Sequence, residues 1–157
     1  MDPATLHGEI TEPDRLTDDD WRGLLSPAEF HVLRRSGTEA PGSGRYLDDD
    51  ADAGGVYACA GCGNTLYDAT HKFHSGCGWP SFSDEVAEGA LRYIRDTSHG
   101  MVRTEMRCAR CDGHIGHVFP DGPPPTGTRH CVNGTAVVHV PEGETADAVL
   151  KRHRASL

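Results

Sequence analysis

Six cysteines divide into two kinds by spacing, and the spacing limits what each can do. Cys59-Ala60-Gly61-Cys62-Gly63 and Cys108-Ala109-Arg110-Cys111-Asp112-Gly113 are Cys-x-x-Cys turns. In each, glycine relieves the backbone while the amides fold back toward the sulfurs, so two thiolates can face one ion. Cys59, Cys62, Cys108 and Cys111 thus supply the four soft ligands of one tetrahedral Zn2+. Four protein ligands leave no open coordination position, so the expected zinc is structural. The 45 residues between Cys62 and Cys108 exceed a zinc-ribbon interval, and tertiary pairing must bring the turns together. The competing use, a redox dithiol, normally sits at a helix N-terminus, and neither turn precedes a helical pattern.

Cys77, in Ser75-Gly76-Cys77-Gly78-Trp79-Pro80-Ser81-Phe82, and Cys131, in Arg129-His130-Cys131-Val132-Asn133-Gly134, have no metal-type spacing. Such a cysteine is either a small buried apolar residue or a working thiol. Around Cys131 the neighbours favour work. Arg129 is a cation that favours thiolate, and Asn133 projects to the same side of an extended strand. Upstream, His114-Ile115-Gly116-His117-Val118-Phe119-Pro120-Asp121-Gly122 sets His114, His117 and Asp121 just before a proline loop, as a candidate acid/base cluster. Trp79 is either core or an aromatic wall for a small apolar group such as a methyl. His7, His31, His71, His74, His99, His139 and His153 lack comparable neighbours and are expected to be structural or solvated.

The elements that must position these residues are mostly strands. Thr17 is a candidate N-cap for a short helix with Trp21, Leu24 and Leu25 on one face. Ser26-Pro27-Ala28-Glu29 is a capping box opening a second helix, with Phe30, Leu33 and Arg34 at helical spacing and Gly37 as its stop. These helices are expected to form a lid or brace. Residues 1–16 suggest a loose arm, and 37–55 an extended connection into a strand near Val56-Tyr57-Ala58. The clearest strand is Met101 to Cys108, with Val102, Thr104 and Met106 expected to face inward. Further strands are expected at Thr65-Tyr67, Leu91-Ile94 and Thr135-Val140. The prolines and glycines of 120–128 require a rigid loop, and Thr145 to Arg154 suggests a short helix.

With 157 residues the chain fits one domain, 1–157, comprising a helical brace at 17–36 and a zinc-stapled catalytic β core at 55–141. Its 19 glycines and 10 prolines point to many turns and a mainly β fold. A net charge of −9 and only two lysines, Lys72 and Lys151, argue against nucleic acid as a partner. The acidic runs, Glu9 to Asp20 and Asp48 to Asp52, suit a solvated surface. Residues 1–20 hold neither an apolar run nor a basic leader, and no stretch is long and apolar enough to span a membrane, so a cytoplasmic location is expected. In a reducing compartment, cysteines serve as ligands or working thiols rather than as permanent disulfides.

In order, Trp21-Arg22, Gly37-Thr38-Glu39, CAGCG, SGCGWPSF, RCARC, GHVFPDG and RHCVN make the chain from about Trp21 to Val140 resemble the methionine-R-sulfoxide reductase B family. The resemblance implies two antiparallel sheets curved, barrel-like, around an active-site basin, with zinc on the far side from the nucleophile. It implies Cys131 as nucleophile and Cys77 as resolving thiol, with Trp79, His114, His117, Asp121, Arg129 and Asn133 around them. It implies a monomeric protein-repair enzyme of the oxidative stress response, acting on methionine R-sulfoxide in proteins or peptides, with a thioredoxin-like reductant. Preference for the R epimer belongs to the enzyme class. Two positions depart from the family pattern: His130 stands where an aromatic residue is usual, and Pro41-Gly42-Ser43-Gly44 lacks an aromatic.

The chemistry implied is attack by the Cys131 thiolate on the sulfoxide sulfur while His117, with His114 acting through water, protonates the oxygen. Cys131 then becomes a sulfenic acid that condenses with a nearby thiol to a disulfide. The rival class, a non-catalytic zinc-ribbon interaction module, leaves Cys77, Cys131 and the histidines without a task.

Overall fold

The structure, a computed structural model, describes residues 13–47 and 54–157. The expectations for residues 1–12 and for the acidic run 48–52 lie outside those residues.

The two N-terminal helices form where their caps predict. Thr17 accepts from the Asp20 amide while the Asp20 carboxylate accepts from the Thr17 amide, opening α1 (Asp18–Leu24); Ser26 and Glu29 repeat the exchange at α2 (Pro27–Arg35). The buried face of α2 is Glu29, Val32 and Leu33. Phe30 lies only partly buried, with the guanidinium groups of Arg22 and Arg35 4.7 and 5.2 Å from its centroid. Glu29 survives burial because His153 lies 2.7 Å away and Arg45 3.3 Å away.

The strands are β1 (Val56–Cys59), β2 (Thr65–Asp68), β3 (Lys72–Phe73), β4 (Ser81–Phe82), β5 (Leu91–Asp96), β6 (Arg103–Cys108), β7 (His114–Phe119), β8 (Arg129–Val132) and β9 (Val137–Val140); α3 (Ala146–Ala155) follows. They make two antiparallel sheets, one ordered β2-β1-β9 and the other β3-β4-β8-β7-β6-β5. The fold is mainly β, as expected, but the sheets keep open edges and do not close into a barrel. An aromatic seam joins them: Phe82 of β4 stacks on Tyr67 of β2 at 4.3 Å and meets the edge of Tyr57 of β1 at 5.1 Å.

Three local expectations are corrected. Val102 lies outside β6 and is 69% exposed, whereas Glu105, on the face assumed to be wet, is only 6% exposed. The simple alternation fails because Glu105 has a buried partner in His114 at 2.7 Å. Gly134–Ala136 is a 3-10 turn, so the last strand starts at Val137 and not at Thr135. The proline loop 120–128 is present and closes on itself through Gly122 and Gly127, whose amides donate to Gly127 and Pro123 carbonyls.

The helices brace the cysteine turns. Trp21 packs against Gly61, and Leu33 against Gly113. Arg34 donates to the Cys111 carbonyl at 2.8 Å, Arg110 to that of Cys62 at 2.6 Å, and Arg154 of α3 to that of Gly61.

Burial pushes the Glu29 carboxyl upward, but hydrogen bonds from His153 and the Ser26 amide, with Arg45 nearby, outweigh it and hold it below its ordinary value of 4.5. A depressed carboxyl stabilises the fold above its unfolded value and loses that contribution as pH falls through the folded one. Urea titrations of the unsubstituted chain and Glu29→Gln between pH 7 and 3 should therefore show a stability gap that is full at neutral pH and narrows below pH 4.5. A gap independent of pH would show that Glu29 titrates alike folded and unfolded, and one that shifts in favour of the unsubstituted chain as pH falls would show that Glu29 is buried uncharged.

Candidate active site

Four buried sulfurs form one cluster. Cys59, Cys62, Cys108 and Cys111 offer ligand atoms all within 4.8 Å of one another. The Cys59–Cys111 and Cys62–Cys108 separations are 3.7 and 3.5 Å. A tetrahedron with Zn–S of about 2.3 Å has edges of roughly 3.8 Å, so the spacing fits a metal of that size. The amides of Gly61 and Gly113 point at Cys59 and Cys111, each at 3.4 Å, as expected around thiolates. These residues can hold a metal ion with no further ligand.

The second site lies along β7 and β8. Antiparallel pairing sets His117 opposite Cys131, and β4 completes the set with Ser81 opposite Cys131. Gly116 permits the close approach of the strands, since a Cβ there would lie 2.0 Å from the Cys131 carbonyl oxygen. A cavity of about 220 Å3 opens here, lined by Cys77, Trp79, His117, Arg129, Cys131 and Asn133, with Thr38, Arg103 and Phe119 at its edges.

The other two predicted residues stand outside the lining. Asp121 is exposed and holds Arg129, whose Nε donates to it at 3.0 Å. His114 sits behind His117, ring centroids 5.4 Å apart. Two residues three apart on a regular strand face opposite ways. Here β7 carries an extra residue opposite the Met106–Arg107 step, and this bulge turns His114 toward His117. His130 is buried on the side away from Cys131, its Nδ1 3.0 Å from the Tyr67 hydroxyl, so this departure from the family pattern leaves the cavity wall unchanged.

Each histidine has a carboxylate partner that sequence reasoning missed. Asp96 Oδ2 lies 2.7 Å from His117 Nε2, and Glu105 Oε2 lies 2.7 Å from His114 Nδ1. Hydrogen bonds from Ser98, then His117, hold Asp96 far below the usual carboxylate range. Burial pushes His114 toward its neutral form, against the pull of Glu105. Committing His117 Nε2 to Asp96 leaves Nδ1 as the nitrogen available to a ligand. The signal for Asp96 is weak in sequence, because it sits 21 positions from His117 and only the β5-β6-β7 hairpins unite them.

Glu39 also went unassigned beyond its motif. Its amide donates to Asn133 Oδ1 at 3.0 Å, its carbonyl accepts from Trp79 Nε1 at 3.1 Å, and its carboxylate accepts from the Gly134 and Thr135 amides. One residue thus fixes two walls of the cavity.

Cys77 and Cys131 sulfurs lie 3.9 Å apart. Ser75 Oγ donates to Cys77 Sγ at 2.9 Å, and Ser81 Oγ lies 3.5 Å from the same sulfur. Burial works to raise the Cys77 thiol, but these hydroxyls bring it down to about 7. Cys131 is pushed up to about 12, by burial first and then by Cys77 beside it. The Arg129 pull expected from sequence is present, yet it is smaller than burial. The first negative charge of the pair therefore rests on Cys77.

A SelR domain profile matches residues 25–141. The chain belongs to the SelR domain family. A relative from Pseudomonas putida strain F1, named peptide methionine sulfoxide reductase MsrB, is 54% identical over 121 residues, 77% of this chain and 91% of the relative. Relatives of the same name from Agrobacterium fabrum and Thioalkalivibrio sulfidiphilus are 50 and 54% identical, over 85 and 80% of this chain and 98 and 90% of their own length. The SelR match spans both cysteine turns, both remaining cysteines and the histidine strand. Residues 1–24, with the acidic amino end and α1, and residues 142–157, with α3, lie outside it.

Alkylation across pH should separate the two thiols of this SelR site. Cys77 is expected to react with a midpoint near pH 7, while Cys131 stays slow through pH 9, the ordinary thiol value. Ser75→Ala should move the Cys77 midpoint upward. Mass spectrometry that finds Cys131 labelled first at neutral pH would place the charge on the other sulfur.

Proposed function

We propose that this chain reduces methionine R-sulfoxide in oxidised proteins to methionine, with Cys131 as nucleophile, Cys77 as resolving thiol and a thioredoxin-like dithiol as reductant. The observation that carries the reading is the 3.9 Å thiol pair inside a cavity walled by Trp79 and His117. The named activity of the relatives supports it.

At about 220 Å3 the cavity holds roughly seven waters at ~30 Å3 each, enough for a sulfoxide side chain. Trp79 faces the methyl group. The Cys131 proton passes to the Cys77 thiolate, and the freed Cys131 sulfur attacks the sulfoxide sulfur. Protonated His117, oriented by Asp96, donates its Nδ1 proton to the oxygen. The oxygen then moves from the substrate sulfur to the Cys131 sulfur as the bond between the two sulfurs breaks, so that Cys131 becomes a sulfenic acid and methionine departs. Cys77 then attacks the Cys131 sulfur, water leaves, and the disulfide forms. A dithiol gives two electrons and two protons to restore both thiols. Arg129, held by Asp121, and Asn133, held by Glu39, are the polar contacts for the substrate. His114 with Glu105 supports the His117 ring from behind.

The four-cysteine cluster is the site of one structural Zn2+, coordinated by Cys59, Cys62, Cys108 and Cys111. Zinc would neutralise thiolates that burial otherwise forbids and would staple the two hairpins; it takes no part in the redox step. A non-catalytic interaction module gives no use to the thiol pair or to the paired histidines.

With dithiothreitol as reductant, the R epimer of a blocked methionine sulfoxide should be consumed and the S epimer spared. Cys131→Ser should abolish turnover with fold and metal intact; activity near that of the unsubstituted chain would remove Cys131 from the role. Cys77→Ser should lose thioredoxin-dependent turnover yet release one methionine per chain, more slowly than the unsubstituted chain. Undiminished thioredoxin-dependent turnover would refute the assignment of Cys77. Asp96→Asn should lower kcat by about 10²-fold, the low end of lost acid/base help, with KM little changed. Elemental analysis should find about one zinc per chain, and its removal should lower thermal stability.

A further inference from the structure

We propose that a hollow adjoining the cavity is a subsite for an apolar residue next to the methionine sulfoxide of an extended peptide substrate. The inference rests on the function proposed above and names the form of its substrate.

The hollow measures about 440 Å3 and lies at the ends of β5, β6 and β7, between Val102, Val118, Phe119 and Pro120, with Arg95 and Arg103 in its walls. Arg103 and Phe119 line the catalytic cavity as well, so the two spaces meet at one partition. The partition is fixed. Arg129 lies over the Phe119 ring at 4.5 Å, and Arg103 is anchored to Asp96 at 3.5 Å.

Three observations fit a peptide crossing that partition. Val102 is 69% exposed beside partly buried Val118 and Phe119, so the apolar lining is continuous and open rather than a lone surface side chain. Arg103 lines both spaces with part of its side chain still exposed, and a guanidinium can donate to the carbonyl of a peptide crossing there. Neighbouring side chains of an extended chain point to opposite sides, so a peptide with its sulfoxide on the Cys131 side of Phe119 directs the next side chain to the other. The chemistry of the walls sets the preference. Valine, proline and phenylalanine favour an apolar side chain, and the two guanidinium groups oppose a lysine.

The test compares kcat/KM for three blocked tripeptides with methionine R-sulfoxide in the middle and Gly, Leu or Lys on both sides, with N-acetylmethionine R-sulfoxide as reference. The expected order is Leu, Gly, Lys, with Leu exceeding Gly roughly tenfold, the return on burying part of one aliphatic side chain. Val102→Ser, at an exposed position, should shrink the Leu advantage and leave the glycine peptide and the reference unchanged. Equal rates for the Leu and Gly peptides, or an equal fall for every substrate in Val102→Ser, would overturn the subsite. No turnover of the reference by the unsubstituted chain would overturn the proposed function and the subsite with it.

Discussion

The four-sulfur cluster is the constraint on which the remaining geometry depends. Cys59 and Cys62 belong to the hairpin of β1 and β2 in one sheet, Cys108 and Cys111 to the hairpin of β6 and β7 in the other. Four buried thiolates repel one another, so the two hairpins stay together only if a cation or protons neutralise them. Three arginines, from α2, the second turn and α3, satisfy the carbonyls of these turns. The joint therefore reaches every layer of the fold. It also starts β7, since Gly113 ends the second turn and His114 is the next residue. His117 follows six residues after Cys111, at most about 20 Å along a strand. The four-cysteine cluster thus fixes the register of the histidine strand while standing clear of the thiol pair.

Within the second site, charge is distributed by partners rather than by residue type. Cys131, beside a cation in sequence, keeps its proton because burial outweighs Arg129, and Cys77, with no charged neighbour in its motif, holds the thiolate because two serine hydroxyls face it. Two thiols 3.9 Å apart cannot both ionise, so donors on one side decide which does. The same logic governs the histidines: each faces one carboxylate at 2.7 Å, one pair at the cavity and one buried behind it.

Local signals carried most of the fold. An N-cap at Thr17 and a capping box at Ser26 placed the N-terminal helices, the cysteine turns announced their cluster, and the proline run ruled out a strand at 120–128. The failures share a cause. Val102 and Glu105 were misplaced because strand alternation assigns a face by polarity alone, and a buried ion pair reverses that assignment. His114 and His117 were grouped from their sequence neighbourhood alone, and they meet only because a bulge, invisible in sequence, turns them together. Asp96 could not be paired with His117 from spacing, because cross-strand partners depend on hairpin register.

Glu39 shows how a short segment outside the sheets governs the site. It follows α2 by four positions, yet its amide and carbonyl hold Asn133 and Trp79, residues 94 and 40 positions away. Its carboxylate ties it to the turn after Cys131, so main-chain groups of one residue are pinned where two cavity walls need them. Side-chain identity explains only half of this arrangement. Any residue offers the amide and carbonyl, but a carboxylate is needed to accept two amides and a hydroxyl at once. The helical brace therefore does more than cover the cysteine turns: by ending where it does, α2 delivers Glu39 to the edge of the cavity and couples packing around the four-cysteine cluster to the side chains that surround the thiols.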